Sequence, residues 1–528
     1  MTMKILICDG LDESGLDLLR STEGLEVDTP EQLSLEQIAD RLPQYDAMII
    51  RSRTRVTEKM LQRADRLKVI GRAGTGVDNV DLPSASDKGI LVMNTPGANA
   101  MAAAEHTLAL MLALARHLPQ AAQSVREGRW EKKRFLGTEI CEQTLGVIGL
   151  GRIGSIVADR AMGMGMEVIG FDPYITPEAA TKMGVTWVAL DDLLARSDFI
   201  TLHTPLTKET DRIINRSAIA RMKPGARIIN CARGGLIDEE ALYEALQEGH
   251  IAGAALDVFS SEPPVNHPLV ALSNVIATPH LGASSIQAQT NVARAIATQL
   301  IDYLLRGVIR NAVNFPNIGA KAFYPLRPYL ILAEKLGSLQ GQLSTFVERL
   351  EVETSGPDLE GLPLEPITQT VIKGFLEPVL AEKVTPVNAP ILLQRRQIEL
   401  ITSSTSDTGG YSGMIMVRAT GKGQVSSARG TVFPGEGPRL ILLNTYRLEA
   451  ELEGINLIIQ NLDKPGVIGL IGSTLGDFQV NIADMHLSRT PVKDRAMSII
   501  RIDEEAPASA LEKLRQHPNI LSVQQVRL

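Results

Sequence analysis

The chain has 528 residues, of which 44% are hydrophobic and 22% charged, and a formal net charge of −8. That length exceeds a single hydrophobic core and calls for three or four domains. The acidic balance argues against wholesale binding to nucleic acid or to an anionic membrane surface. Cys8, Cys141 and Cys231 stand far apart with no CxxC spacing, so a disulfide framework and a zinc site are not expected; a reducing cytoplasm is. The start Lys4–Asp9 reads directly as a strand rather than as a signal peptide. The most apolar long stretch, Met101 to Leu118, carries Glu105, His106 and Arg116 and reads as a globular helix, not a membrane span.

Residues 1 to 98 alternate strand signals (Lys4–Asp9, Ala47–Arg51, Lys68–Ile70, Ile90–Asn94) with helix signals (Asp12 to Arg20, Leu35 to Leu42), the pattern of an α/β unit with a parallel sheet. Arg51-Ser52-Arg53 follows the second of these strands. Ligands of open α/β sheets bind beyond the carboxyl ends of strands, where two arginines flanking a serine could clamp a carboxylate or a phosphate; the plain alternative is a solvated charged loop. Gly71 to Gly76, after the next strand, is either a plain turn or a backbone approach to an anion. Thr95-Pro96-Gly97 reads as a hinge. The helix after it is apolar around nearly its whole circumference from Leu108 to Leu114, which predicts burial on all sides, in a core or in a subunit interface. Trp130-Glu131-Lys132-Lys133-Arg134 reads either as a solvated loop or as a cationic rim on an anion site of a neighbouring subunit.

The strongest local signal is Gly149-Leu150-Gly151-Arg152-Ile153-Gly154. It follows the apolar run Leu145–Ile148, opens a helix at Ser155 to Gly163, and is followed, past a second apolar run, by Asp172. This is the dinucleotide-binding fingerprint. Gly149 allows the tight turn, Gly151 lets the backbone approach a pyrophosphate, Gly154 lets helix and strand pack closely, and the helix start offers free N–H groups. Asp172 favours NAD over NADP, because a carboxylate accepts from a ribose 2′-hydroxyl and repels a 2′-phosphate. Three further polar groups, Arg233, Glu262 and His280, each fall just past a predicted strand and gather at the same sheet edge. Together they suit reversible hydride transfer between a nicotinamide and a 2-hydroxy acid. The imidazole moves the hydroxyl proton, the carboxylate holds its tautomer, and the guanidinium binds the substrate carboxylate and polarises the adjacent carbonyl.

Gly149–Gly154, Asn230 to Gly235, Asp257-Val258-Phe259 with Glu262-Pro263, and Thr278 to Ala283 resemble the D-2-hydroxyacid dehydrogenase family. Arg51-Ser52, Gly74 to Asn79 and Trp130 with its basic run narrow the resemblance to the phosphoglycerate dehydrogenase branch. The resemblance implies Arg233, Glu262 and His280 as catalytic residues, with His280 the proton donor. It also implies NAD contacts at Thr75, Arg152, Ile153, Asp172, Thr204, Cys231, Arg233, Asp257, His280 and Ala283. Arg51, Ser52 and Arg53 would hold the substrate, 3-phosphoglycerate, together with Lys132, Lys133 and Arg134. The implied fold is a two-lobed, doubly wound α/β dehydrogenase, a Rossmann lobe plus a flavodoxin-like lobe. Residues 1–98 and 287–316 would form the substrate-binding domain and 99–286 the NAD-binding domain.

Residues 317–452 carry no catalytic motif and resemble the α+β intervening domain of the long-form members, with Arg439, Arg447 and Arg501 as candidate ligands for an anionic effector. Residues 453–528 read as a ferredoxin-like βαββαβ split and resemble an ACT domain. There the resemblance implies an L-serine effector near the helix start at Gly466, with Asn461, Asp463 and Asn481 as its ligands, and a homotetramer built as a dimer of Rossmann-domain dimers. Three alternatives stay open at this point: another D-2-hydroxy acid as substrate, an NAD-sensing interaction protein on the same fold, and a tail that serves only oligomerisation.

Overall fold

The computed structural model describes residues 2–31, 33–316, 318 and 320–528. Strands β1 (Met3–Ile7), β2 (Leu25–Asp28), β3 (Ala47–Ile50), β4 (Val69–Arg72) and β5 (Leu91–Met93) form an all-parallel sheet in the order β2-β1-β3-β4-β5. β3 and β5 are buried along their whole length, the pattern expected of strands covered on both faces by crossover helices. β2 was not expected; it is a half-buried edge strand of four residues, too short to show a period.

The second sheet is also all parallel. It comprises β6 (Thr144–Ile148), β7 (Glu167–Phe171), β8 (Thr186–Trp187), β9 (Phe199–Leu202), β10 (Ala226–Asn230), β11 (Ile251–Leu256) and β12 (Val275–Ala277), in the order β12-β11-β10-β9-β6-β7-β8. Strand order reverses between β6 and β9, and the crevice beyond their carboxyl ends is where such sheets bind ligands. Helix Ala100–Ala115 packs on this sheet through Ala104, Leu110, Met111 and Leu114, yet Met101 is 48% and Leu112 36% exposed. All-round burial is therefore not reached within one chain, because only one side of the helix meets the sheet. Helix Ile286–Arg306 lies back against the first sheet, with Ile296 and Leu300 in its core, and beyond it Asn314 Oδ1 accepts from the Val92 N–H at 2.8 Å.

The third sheet comprises β13 (Arg349–Ser355), β14 (Glu399–Thr405), β15 (Met414–Gly421), β16 (Gln424–Phe433), β17 (Gly437–Leu443) and β18 (Tyr446–Glu451), ordered β14-β13-β15-β16-β17-β18 and backed by helices Ala320–Leu343 and Glu365–Leu376. The expected start of this unit, residue 317, lies outside the described residues. The segment 383–395 is seated on the first sheet's loops. Lys383 donates to the carbonyls of Asp65 and Leu67, Thr385 to that of Gly89 and Asn388 to that of Asp87, while Arg395 pairs with the Asp87 carboxylate. The fourth sheet, antiparallel, contains β19 (Ile455–Leu462), β20 (Ile482–Arg489), β21 (Arg495–Ile502) and β22 (Ile520–Arg527) in the order β20-β21-β19-β22, with helices Val467–Asp477 and Ala508–Arg515 completing a βαββαβ split. Gln342 ties it to the third unit by bonding both the N–H and the carbonyl of Arg527. Among the described residues no helix is long and apolar enough to cross a membrane.

Candidate active site in the interlobe cleft

A cleft of about 390 Å³ opens between the first two sheets, lined among others by Thr75, Asn99, Arg152, Ile153, His203, Thr204, Cys231, Arg233, His280 and Ala283. Eight residues expected at the site from sequence, Thr75, Arg152, Ile153, Thr204, Cys231, Arg233, His280 and Ala283, therefore share one cavity.

The glycine turn after β6 has the geometry its spacing implies. Gly149 adopts φ 94°. A Cβ at Gly154 would lie 1.9 Å from the Gly149 carbonyl oxygen, whereas one at Gly151 would meet nothing within 4 Å. The turn is thus closed on its packing side and open on its outer side. Helix Arg152–Gly163 begins with no side-chain cap, so the N–H groups of its first turn have no side-chain acceptor and a positive dipole end faces the opening. Asp172, at the end of β7, accepts from the N–H groups of Leu150 and Tyr174, both at 2.9 Å. The Thr204 hydroxyl is buried without a hydrogen-bond partner.

Glu262 and His280 meet directly, with His280 Nδ1 2.8 Å from Glu262 Oε2. Glu262 Oε1 accepts the Phe259 N–H at 3.2 Å. Because Nδ1 is engaged, His280 keeps Nε2 for a reacting group. His280 adopts φ 56°, an unusual conformation for a residue with a Cβ. It is held there by its own N–H on the Asp257 carbonyl at 2.9 Å and by the N–H groups of Leu281 and Gly282 on the Asp257 carboxylate at 2.7 and 2.8 Å. Asp257 is 1% exposed and also accepts from Thr278 Oγ1 at 2.6 Å, with His106 Nε2 at 3.2 Å. Burial pushes this carboxyl up, but the donors from His106, Thr278, Leu281 and Gly282 outweigh it and hold it below the usual range. Asp257, expected as a cofactor contact, has both oxygens occupied by the loop it braces. Cys231 faces the cleft, its thiol pushed up to about 12 by burial, so it stays a neutral thiol.

Arg233 donates from Nε to Asp78 Oδ2 at 3.0 Å across the lobes. Its loop is shaped by Asn230, which bonds the Arg233 carbonyl and the Ala232 N–H. It presses on the Glu262 loop so closely that a Cβ at Gly234 would sit 1.9 Å from the Phe259 oxygen.

Sequence reasoning missed Arg72, at the end of β4. It lies inside the first lobe with Nε buried and unpartnered, pushed down to about 10 by burial and by the neighbouring Arg233 guanidinium, with Arg51 also acting on it. An arginine closing a buried strand was the available signal. The expected pair Arg51 and Arg53 divides. Arg53 is committed, Nε to Asp9 Oδ1 at 3.0 Å and Nη2 to the Cys8 carbonyl at 2.6 Å, and Asp9, 5% exposed, also holds the backbone of Arg51 and Thr54. Arg51, by contrast, has no side-chain acceptor among the described residues. Ser52 is exposed beside it.

Lys132, Lys133 and Arg134 form the exposed turn Lys132–Phe135 and do not line this cleft; Arg134 pairs with Glu131. In the fourth unit Gly466 starts helix Val467–Asp477 with no side-chain cap. Asp463 pairs with Arg489 at 3.2 Å, Asn481 donates to Asp503 at 2.7 Å, and Asn461 is buried with its Oδ1 unpartnered. The anion site expected at Arg439 and Arg501 is answered by carboxylates within the chain: Glu451 takes Arg439 at 3.0 Å and Arg501 at 2.6 Å, while Arg447 stays exposed.

Two parallel lobes joined at a cleft, with a glycine turn, an acid and an Arg–Glu–His set around it, define a D-2-hydroxyacid dehydrogenase. The family model for the NAD binding domain of D-isomer specific 2-hydroxyacid dehydrogenases matches residues 108–282. Those for the D-3-phosphoglycerate dehydrogenase intervening domain and the ACT domain match 325–444 and 455–519. The chain is 45% identical over 526 residues to a D-3-phosphoglycerate dehydrogenase of Synechocystis, covering 99% of this chain and 95% of that one. It is 43% identical over 528 residues to that of Methanocaldococcus jannaschii, covering all of both. Among solved structures, a Thermus thermophilus protein matches with TM-score 0.55 at 39% identity, over 59% of this chain and 100% of that one. An Aquifex aeolicus D-lactate dehydrogenase complexed with NAD and lactic acid matches with TM-score 0.52 at 29% identity, over 60% and 100%. The chain belongs to the D-3-phosphoglycerate dehydrogenase family.

Proposed function

We propose that this chain oxidises 3-phospho-D-glycerate to 3-phosphohydroxypyruvate with NAD, the first step of L-serine synthesis, under feedback by L-serine at the fourth unit. The observation that carries the reading is the His280–Glu262 pair at 2.8 Å, opening into the same cleft as Arg233 and the residues beside the glycine turn. The cleft suits the dinucleotide: Gly151 is open outward, the helix behind it is uncapped, and Thr204 carries an unpartnered hydroxyl. Gly149, Gly151 and Gly154 with Arg152 and Ile153 would hold its pyrophosphate, Asp172 its ribose, and Thr75, Thr204, Cys231 and Ala283 the remainder of its contacts, Asp257 acting through the His280 loop. Bound NAD supplies the hydride acceptor.

His280 takes the hydroxyl proton at Nε2 while Glu262 fixes its tautomer through Nδ1 and stabilises the imidazolium. Arg233 binds the substrate carboxylate and polarises the forming carbonyl. Arg51 and Ser52 receive the phosphate, Arg53 braces their loop through Asp9, and the charge of Arg72 adds to the field there. Closing the lobes expels water before hydride leaves carbon. We assign residues 1–98 with 287–316 to substrate binding, 99–286 to NAD, 317–452 to the intervening domain and 453–528 to the effector domain, where Asn461, Asp463 and Asn481 meet L-serine. The exposed Met101 and Leu112, with Trp130 and Leu136 nearby in sequence, support pairing of NAD-binding domains in a cytosolic homotetramer. Across such an interface Lys132, Lys133 and Arg134 would reach a partner's substrate. Mixing the protein with 3-phosphoglycerate and NAD and following NADH absorbance tests the reading; folded protein without turnover refutes it.

A further inference from the structure

The loop that carries Glu262 is closed by one carboxylate from a different element. Glu239, the first residue of helix Glu239–Gln247, is 15% exposed at its side chain. Its Oε1 accepts the Ser260 N–H at 2.7 Å, and its Oε2 accepts the Ser260 hydroxyl at 2.7 Å and faces His267 Nε2 at 3.0 Å. Ser260 directly follows Phe259, whose N–H holds Glu262 Oε1. His267 lies at the far end of the same loop, its ring 5.5 Å from that of Phe259. One side chain thus gathers both ends of the segment 259–267, with Glu262 between them.

A surface glutamate at a helix start needs no such partners, since the dipole alone favours it. Three donors converging on one nearly buried carboxylate form instead a fixed polar network, in which each group holds the next in place. What the network holds is an acid whose task depends on position: Glu262 must stay within hydrogen-bond reach of His280 Nδ1, and a displacement of about 1 Å removes much of the benefit of an oriented base.

We infer that Glu239 is a positioning residue for the reaction. It latches the 259–267 loop so that Glu262 stays aligned on His280, while touching neither substrate nor cofactor. The inference rests on the reading of His280 and Glu262 given above. A latch of this kind acts on the proton-transfer step and leaves the dinucleotide site alone.

The test is a double-mutant cycle on the full-length protein, with kcat and the KM for NAD measured separately. Glu239→Ala is expected to lower kcat about tenfold with the KM for NAD within about twofold, and Glu239→Gln, which keeps one acceptor oxygen, to recover part of the loss. In a Glu262→Ala background the same Glu239→Ala change is expected to cost less than about twofold, because nothing remains to be aligned. An equal fall in both backgrounds, or an unchanged kcat in the first, overturns the inference. If Glu239→Ala does not fold, Ser260→Ala removes one donor alone. It is expected to lower kcat about threefold in the unaltered background and not at all without Glu262, and equal effects again overturn the latch. Turnover by the unaltered protein with no response to Glu239→Ala refutes the latch only, whereas absence of turnover by the unaltered protein refutes the reading beneath it.

Discussion

Gly151 and Gly154 stand three positions apart in one turn, and the structure predicts opposite consequences for the same added methyl. At Gly154 the new Cβ would lie 1.9 Å from the Gly149 oxygen and 3.3 Å from Val147 Cγ1. Contact with that oxygen is short of an ordinary van der Waals distance by about 1.5 Å, and the obstacle is backbone, so the helix must back away from the strand. Overpacking of this severity costs about 3 kcal/mol, and the preference of Ala over Gly inside a helix returns about 1 kcal/mol. The net loss of about 2 kcal/mol lowers the melting temperature of a lobe this size by roughly 4–8 °C.

At Gly151 the methyl meets nothing within 4 Å, and φ −67°, ψ −161° is open to alanine. Stability changes there by less than about 1 kcal/mol. The methyl occupies the space through which a pyrophosphate reaches the helix N–H groups, and losing one charge-assisted hydrogen bond of about 1.5–3 kcal/mol weakens NAD binding at least tenfold. Scanning calorimetry and NAD titration of Gly151→Ala and Gly154→Ala decide the matter. Gly151→Ala binding NAD like the unaltered protein, or Gly154→Ala melting unchanged, would refute the argument.

Arg51→Ala is expected to lower kcat/KM for 3-phosphoglycerate about 10–100-fold and for unphosphorylated glycerate far less; equal losses in steady-state assays would remove the phosphate from this arginine. Burial pushes the His203 imidazole down to about 4. Its folded value therefore lies below the unfolded one near 6.5, so its contribution to stability is complete above that pH and drains away as pH falls toward 4. Urea unfolding of His203→Gln is expected to show a shallower acid slope across that window, and an unchanged slope counts against a buried neutral ring. Calorimetric titration with L-serine is expected to give binding to the unaltered protein and none to Asp463→Ala, since an ammonium needs that carboxylate; unchanged affinity in the variant would place the effector elsewhere.

What could be read from the residues alone were features whose physics is local. A glycine turn between an apolar strand and a helix needs no tertiary information, and Arg233, Glu262 and His280 were singled out because polar groups just past buried strands share a sheet edge. What escaped depended on partners distant in sequence. Arg72 looks like any strand-end arginine until the burial of its Nε and the nearby charge of Arg233 are known. Arg53 reads as an anion ligand because nothing local reveals that Asp9, far earlier in the chain, has already taken it. Asp257 sits in a family motif, but only the fold shows four donors converging on it, and Glu239 carries no signal at all before the 259–267 loop is seen returning to it. The half-exposed face of helix Ala100–Ala115 is a case of another kind: periodicity reports that a surface is apolar, not which molecule covers it.

The seating of residues 383–395 on the loops around Asp65, Asp87 and Gly89 couples the lobe that carries Arg51 and Arg72 to the third unit. The fourth unit is clasped to the third through Gln342 and Arg527, and the third is bolted to the first. A load placed on the fourth unit therefore has a continuous path of hydrogen bonds and ion pairs to the lobe that carries Arg51.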